Sequence, residues 1–293
     1  MAAMVTRFGV VIPPAGPWAA QSAAYRWAED VGYDVAYSFD HLTHATVRGE
    51  WLADGFLPLA AAATSTARIE LGTLVASATL RSPVSLARLA ITLQDLSGGR
   101  AVLGLGAGSP ACAGADRGAR PSPAEMFTRY ADVVSGYQAV LRGDQEWQGS
   151  ALSFTGVETA PRPDGVADPF LVLAAHGPRA LRLAVEHGDG WNTYGGPSST
   201  RLEPGQYWAL VGQQVARVDE LCERAGRDPR SLRRSVLLGF GAVRPTADVT
   251  SYAEAAERAT ELGFDELVVY APDAPAGMGS DPHVHEEALG RLR

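Results

Sequence analysis

The sequence predicts an α/β fold, a (β/α)8 TIM barrel with an elaborated connection before its fifth strand. Three observations point there. A helix–glycine–strand junction recurs in "AEDVGYDVAYS" (28–38), "AVEHGDGWNTY" (184–194) and "ATELGFDELVVY" (259–270), with a looser copy in "DLSGGRAVLGLG" (95–106). Glycine just past a helix supplies the left-handed cap at no steric cost, so each junction marks an α unit passing to a β unit. The strand segments are near-continuous apolar runs, as expected of parallel strands covered on both faces. Eight such pairs fit in 293 residues, which matches a barrel of this class; a doubly wound open sheet is the alternative.

Taken in order, "FGVVI" lies in the first strand (7–12), and a helix over 18–31 stops at Gly32. The second strand (34–39) is followed by a helix over 55–66, and the third strand covers 69–76. The helix over 83–97 is the most regular. Pro83 opens it, Leu86, Leu89, Ala90, Leu93 and Leu96 recur at helical spacing, and Gly98-Gly99 stops it. The fourth strand (101–106) leads to a helix over 123–142, and the polar, Pro/Gly-rich stretch 143–168 reads as a connection with room for a small hairpin. Strands over 170–174, 190–194, 235–241 and 266–270 then alternate with helices over 177–187, 205–226, 249–262 and 283–291. No linker or low-complexity segment divides residues 1–293, so one domain is expected.

Composition removes several function classes. The net charge is −8, and no basic stripe is present to neutralise phosphates, which argues against nucleic acid. No apolar run is long enough for a membrane span, and the N-terminus lacks the pattern of a signal peptide. Cys112 and Cys222 stand far apart without a motif, which fits a reducing cytoplasm. All 25 cationic residues are arginine. Without lysine, Schiff-base chemistry and a lysine-bearing phosphate loop are both excluded.

A barrel of this kind builds its active site at the C-terminal ends of its strands. Those ends hold Pro13-Pro14, Asp40-His41, Ser77 to Thr79, Gly106 to Ser109, Ala175 to Pro178, Asn192 to Gly196, Phe240-Gly241 and Tyr270 to Pro272. Carboxylates and histidines are few among them. Asp40, His41, His44 and His176 do not make the multi-strand cluster a metal needs. His44 reads as a rim residue, and His283 and His285 as solvated positions on the last helix. "GLGAGS" (104–109) fails as a dinucleotide motif, because Ser109 replaces the third glycine. It reads either as a tight turn or as a place where Gly106 to Gly108 let a flat ring or phosphate approach. In "AAHGPRAL" (174–181) a Gly-Pro opens a helix, where an anion binds readily, with Arg179 on its first turn. An ordinary helix start is the other reading.

The order of "RFGVVIP", "AEDVGYDVAYSFDH", "ARIELGTLVAS", "RSPVSLARLAITLQDLSGGRAVLGLGAGS", "PFLVLAAHGPRALRLAVEHGDGWN" and "LGFDELVVY" resembles the bacterial-luciferase-like family over nearly the whole chain. Its members are flavin- or deazaflavin-dependent oxidoreductases on a (β/α)8 barrel. The Asp-His pair after the second strand resembles the coenzyme F420-dependent branch more than the FMN monooxygenases. The resemblance implies that Asp40 hydrogen-bonds the cofactor ring and that His41 is a general acid or base. It places Thr73, Leu74 and Val75 at a bulge behind the ring, where deazaflavin members often have a non-prolyl cis peptide. Gly106, Ala107 and Gly108 would line the cofactor, and Ala175, His176, Gly177 and Arg179 would hold its phosphate. Ser109, Trp191 and Asn192 would face substrate. Sugar-phosphate oxidisers of the family carry an acid where Ser109 stands, and Ala45 and its neighbours lack an aromatic that would follow Asp-His, so a different substrate is expected.

The expected reaction is hydride exchange between F420 and a small organic substrate in a cytoplasmic homodimer. The alternative is an FMN-dependent monooxygenase using oxygen, with a separate reductase as partner. A hydrolase or lyase, or a barrel that binds without chemistry, forms the competing class.

Overall fold

A computed structural model describes residues 6–239, 241, 243–274 and 279–293. Ten strands are described: β1 (Arg7–Val11), β2 (Val35–Ser38), β3 (Glu70–Ser77), β4 (Ala101–Gly106), β5 (Trp147–Gln148), β6 (Ser153–Phe154), β7 (Phe170–Ala174), β8 (Gly190–Thr193), β9 (Arg233–Leu237) and β10 (Glu266–Tyr270). The helices are α1 (Trp18–Val31), α2 (Leu57–Ala63), α3 (Pro83–Leu96), α4 (Pro110–Arg117), α5 (Pro123–Arg142), α6 (Pro178–His187), α7 (Pro204–Ala225), α8 (Val249–Glu261) and α9 (Pro282–Leu292). Eight strands close into a barrel in the order β1-β10-β9-β8-β7-β4-β3-β2, with parallel pairing where the register is resolved. The expected (β/α)8 barrel is therefore the observed fold. The connection before its fifth strand carries the antiparallel β5–β6 hairpin, with Trp147 opposite Phe154.

The chain forms two compact units. One comprises Met1–Pro13, Ala23–Tyr37 and Val172–Arg293. Its β1 core is tight: a Cβ on Gly9 would lie 3.0 Å from Val268 and 3.1 Å from Tyr37. Tyr37 donates its hydroxyl to Glu266 Oε1 at 2.9 Å, and Arg7 reaches the other oxygen at 3.3 Å. Burial raises the Glu266 carboxyl, against the pull of Arg233 and Arg7. The other unit comprises Pro14–Ser22 and Ser38–Leu171. There β3 and β4 approach so closely at Gly104 that any side chain would overlap the Thr73 carbonyl.

Proline at the first helical turn is a repeated device, as at Pro83, Pro110, Pro123, Pro178, Pro204 and Pro282. Its missing N–H is no loss there, and its fixed φ suits a helix start. Ser82 and Ser122 close capping boxes onto Ser85 and Glu125.

Several sequence expectations need correction. Gly188, expected as a left-handed cap, is extended at φ −87°, and glycine is needed there because a Cβ would fall 2.8 Å from the Gly190 carbonyl oxygen. The second helix, Leu57–Ala63, is shorter than 55–66: at its start the amides of Phe56 and Leu57 bond the Asp54 carboxylate, and at its end Thr64 is the C-cap. The seventh barrel strand ends at Leu237 rather than 241; Gly239 turns the chain at φ +114°, and Phe240 lies outside the described residues. Helix α4 was not foreseen, since "PACAGADR" has too little apolar periodicity to announce a helix. His285 is fully buried rather than solvated, with Nδ1 2.6 Å from Tyr33 Oη and Nε2 2.7 Å from Ser280 Oγ.

Candidate active site

The residues after β2 are built into the second unit. Asp40 is 3% exposed. Its amide donates to the Val75 carbonyl at 3.2 Å, and Gly55 packs so closely that a Cβ there would sit 3.0 Å from the Asp40 Cα. The carboxylate is already engaged. Arg81 donates through Nε to Oδ2 at 3.0 Å and through Nη2 to Oδ1 at 2.7 Å, and the Ser77 amide donates to Oδ2 at 3.2 Å. Arg81 also pairs with Asp54 at 2.6 Å and lies over the Phe56 ring. The Asp40 hydrogen bonds push the guanidinium above its ordinary range. Burial works to raise Asp54, but the Arg81 bond and two amides outweigh it and leave that carboxyl lowered. Sequence alone does not single out Arg81, because a cation four residues past a strand end has no sequence signature.

His41 is half-buried, with its ring edge-on to Phe39 at 5.2 Å and to His44 at 5.0 Å. His44 stacks on Phe39 at 5.4 Å, so it is part of an aromatic cluster rather than a plain rim residue. Burial and then the neighbouring His41 lower its pKa. Nδ1 of His41 lies 3.2 Å from Cys112 Sγ. That sulfur is 3.4 Å from the Thr43 carbonyl, and the Cys112 amide donates to Ser109 Oγ at 3.1 Å. Burial raises the thiol, yet the bonds from His41 and Ser109 prevail and bring it down to about 6. Sequence reading missed Cys112, because 71 residues separate it from His41 and no motif links them.

Thr73 is buried, and its hydroxyl donates to the Gly104 carbonyl at 2.7 Å. The Leu74–Val75 bond is cis, and the β3–β4 register shifts between Thr73 and Ala76, so the expected bulge is present. Gly106 is buried; Ala107 and Gly108 are partly exposed. Gly108 has φ +83°, and a Cβ there would fall 2.5 Å from Thr79 Oγ1 and closer still to Ser77 Oγ. Ser109 caps α4 with its hydroxyl.

The residues after β7 and β8 are built into the first unit. Gln214 Nε2 donates to the carbonyls of His176 and Gly195, at 3.2 and 3.1 Å, so its Oε1 is the acceptor. Thr193 then donates to that Oε1 at 2.7 Å and accepts from the Gly195 amide at 2.9 Å. With the threonine hydrogen committed, His176 Nδ1, 3.0 Å away, must be the donor, and Nε2 carries the lone pair. Burial lowers His176 to about 4, so the ring is neutral at neutral pH. Gly177 is the N-cap of α6, without a side-chain cap, and a Cβ there meets nothing within 4 Å. Arg179 is exposed on the first turn, and Ala175 is buried.

Two residues expected at substrate sit elsewhere. Trp191 is fully buried against Phe264, its indole N–H donating to the Ala175 carbonyl at 2.9 Å. Asn192 is buried and donates to Ser235 Oγ at 2.8 Å. Both side chains hold β8 to its neighbours. Among the described residues no group of three or more His, Cys, Asp or Glu could hold a metal ion.

Comparison with known proteins agrees with this fold. An F420-dependent glucose-6-phosphate dehydrogenase of Beutenbergia cavernae is 35% identical over 173 residues, covering 56% of this chain and 49% of that protein. A 5,10-methylenetetrahydromethanopterin reductase of Methanolobus tindarius is 26% identical over 277 residues, covering 93% and 78%. The chain spans about half the length of the curated relatives it matches above 30% identity. A solved F420-dependent secondary alcohol dehydrogenase, in complex with an F420-acetone adduct, superposes with a TM-score of 0.81 at 17% identity, covering 99% of this chain and 100% of that one. The model of the luciferase-like monooxygenase family matches residues 4–250, and this chain belongs to that family.

Proposed function

We propose that this protein is an oxidoreductase exchanging a hydride between coenzyme F420 and a small organic substrate, with His41 as general acid or base. The observation that carries the reading is the seating of His41. One ring nitrogen is held by Cys112, so the other is the atom left to exchange a proton. When bound, the deazaflavin supplies the carbon that accepts or returns hydride. The residues fit such a group at the turn before α6, which is open at Gly177, where a Cβ would meet nothing within 4 Å; Gly108 is required by the close approach of Ser77 and Thr79. On the ring side, Asp40 acts with Arg81, its carboxylate retaining capacity for one further hydrogen bond beyond three. Thr73, Leu74, Val75, Gly106, Ala107 and Gly108 contribute mainly backbone and apolar surface. On the phosphate side, His176 and Gly177 contribute amides and Arg179 a charge; the Ala175 amide is held by the Asn192 carbonyl at 3.1 Å, so Ala175 supplies only its place at the end of β7. The His176 ring is not the phosphate ligand in this reading, because a neutral Nε2 lone pair repels an anion.

A sugar phosphate is not the proposed substrate. Ser109 occupies the position where an acid would stand, and its hydroxyl is used to cap α4. The reading takes residues 1–293 as one luciferase-like domain in a cytoplasmic homodimer, which sedimentation of the purified protein checks. An FMN-dependent monooxygenase is the second reading, since the matching family is described as luciferase-like monooxygenase; it would require a separate reductase. Parallel fluorescence titrations with F420 and FMN test the choice. F420 is expected to bind tighter, and FMN binding about tenfold tighter or more, a difference of ~1.4 kcal/mol, reverses the assignment.

A further inference from the structure

The contact between His41 and Cys112 does more than fix a ring. We propose that the two residues act as one acid–base unit: a proton accepted at His41 Nε2 is matched by passage of the Nδ1 hydrogen to the Cys112 sulfur. The proposal rests on the reading of His41 as the acid–base group and names the residue that completes it.

Three features of the geometry carry this. The sulfur lies 3.2 Å from Nδ1, a hydrogen-bond distance for sulfur, and Cys112 is wholly buried, so the sulfur is shielded from water on its side of the contact. The Cys112 amide is tied to Ser109 Oγ at 3.1 Å in the capped first turn of α4, which holds the sulfur in place. The Thr43 carbonyl, 3.4 Å from the sulfur, can accept the S–H once it forms. Both states of the sulfur therefore have a partner. The lowered thiol, at about 6, agrees with a thiolate at neutral pH.

The step balances. At the start the sulfur is a thiolate, and the ring is neutral with its hydrogen on Nδ1. A substrate hydroxyl gives its proton to Nε2 as the Nδ1 hydrogen moves to sulfur. The end state is a thiol and a neutral ring with its hydrogen on Nε2. One proton has entered, the pair has gone from one negative charge to none, and no imidazolium is left in a half-buried site. The companion hydride would be taken up by the oxidised deazaflavin of the proposed function. In the reverse direction the same unit delivers a proton from Nε2.

Other ionisable groups near the pair do not replace either member. His44 is 5.0 Å from the His41 ring and has its own pKa lowered. Asp40 is committed to Arg81, which also binds Asp54. On α4 itself, Asp116 pairs with Arg117 at 2.9 Å.

The test needs no cofactor at first. In a Cys222→Ala background, thiolate absorbance is followed against pH, with and without His41→Asn. The expected Cys112 midpoint lies near 6 with His41 present and rises by more than about one unit, toward the ordinary thiol value, without it. An ordinary midpoint that ignores His41 overturns the pair while leaving the histidine's own role standing. Should His41→Asn not fold, imidazole nitrogen shifts in the wild type decide. Hydrogen on Nδ1 at mildly alkaline pH supports the pair, and hydrogen on Nε2 overturns it. With F420 and a substrate, Cys112→Ser keeps a hydrogen bond but does not ionise. Its single-turnover rate is expected to fall about tenfold or more, with a displaced pH profile. A Cys112→Ser enzyme with wild-type rate and profile ends the proposal. Full rate in a folded His41→Asn variant ends the underlying reading instead.

Discussion

His41 and Arg81 show how differently two polar residues of one site depend on their surroundings. His41 carries chemistry in the proposed function, so His41→Asn should keep bulk and hydrogen bonding but lose titration. Single-turnover rate should fall ~10²–10⁴-fold while F420 affinity changes little. A variant that melts early yet turns over normally per folded molecule would reduce the histidine to a structural part. Arg81 is the opposite case. Removing it leaves Asp40 buried with an unpaired carboxylate, and Arg81→Met should cost about 3 kcal/mol in urea unfolding at neutral pH. An unchanged urea midpoint would show that Asp40 finds another donor.

At the scale of elements, strand and helix ends do the positioning. Helix α6 begins at Gly177 with no side-chain cap and open space around its Cα. Gly177→Asp is therefore expected to fold, and to place a carboxylate where the phosphate is proposed to bind. Losing two charge-assisted bonds, at ~1.5 kcal/mol or more each, predicts an F420 affinity weaker by about a hundredfold. Calorimetric titration against a melting curve separates that from misfolding, and a folded variant with unchanged affinity removes the phosphate site from α6. Helix α5 offers a contrast. Ser122 and Glu125 close its capping box with exposed side chains that bond each other, so Ser122→Ala should lower stability by ~1 kcal/mol and leave binding alone.

For the whole molecule, the buried histidines set the response to acid. His176 and His285 are both lowered to about 4, chiefly by burial. Each is neutral in the folded chain, whereas the unfolded chain protonates near pH ~6.5. The stability they contribute is complete above that value and is lost as pH falls toward 4. Over such a window each histidine accounts for up to about 3 kcal/mol. Urea unfolding between neutrality and pH ~4.5 should therefore show a steep loss. His285→Gln should flatten the slope by about one proton, because a glutamine in that place does not titrate. An equal slope in the variant would assign the acid loss to other groups.

Glycine-punctuated junctions and apolar runs determined the barrel, since both are local: the caps at Gly32, Gly98 and Gly263 each need one residue with positive φ, and a buried strand needs only its own run of side chains. The family resemblance also placed the bulge at Leu74–Val75, which lies within one short segment, and it pointed to Asp40 and His41 as the proposed ring-side pair. Pairings across the fold were invisible. Arg81 meets Asp40 across 41 residues and Cys112 meets His41 across 71, joined by the way β3, β4 and α4 fold back on the end of β2. Burial was hidden for the same reason. His285 looked solvated on a short polar helix and Trp191 looked like a substrate contact. Only the packing of Tyr33 on the one and Phe264 on the other decided otherwise. A sequence specifies what each residue can donate, accept or bury; which partner it finds depends on the tertiary structure, which brings distant segments within bonding distance and excludes water from between them.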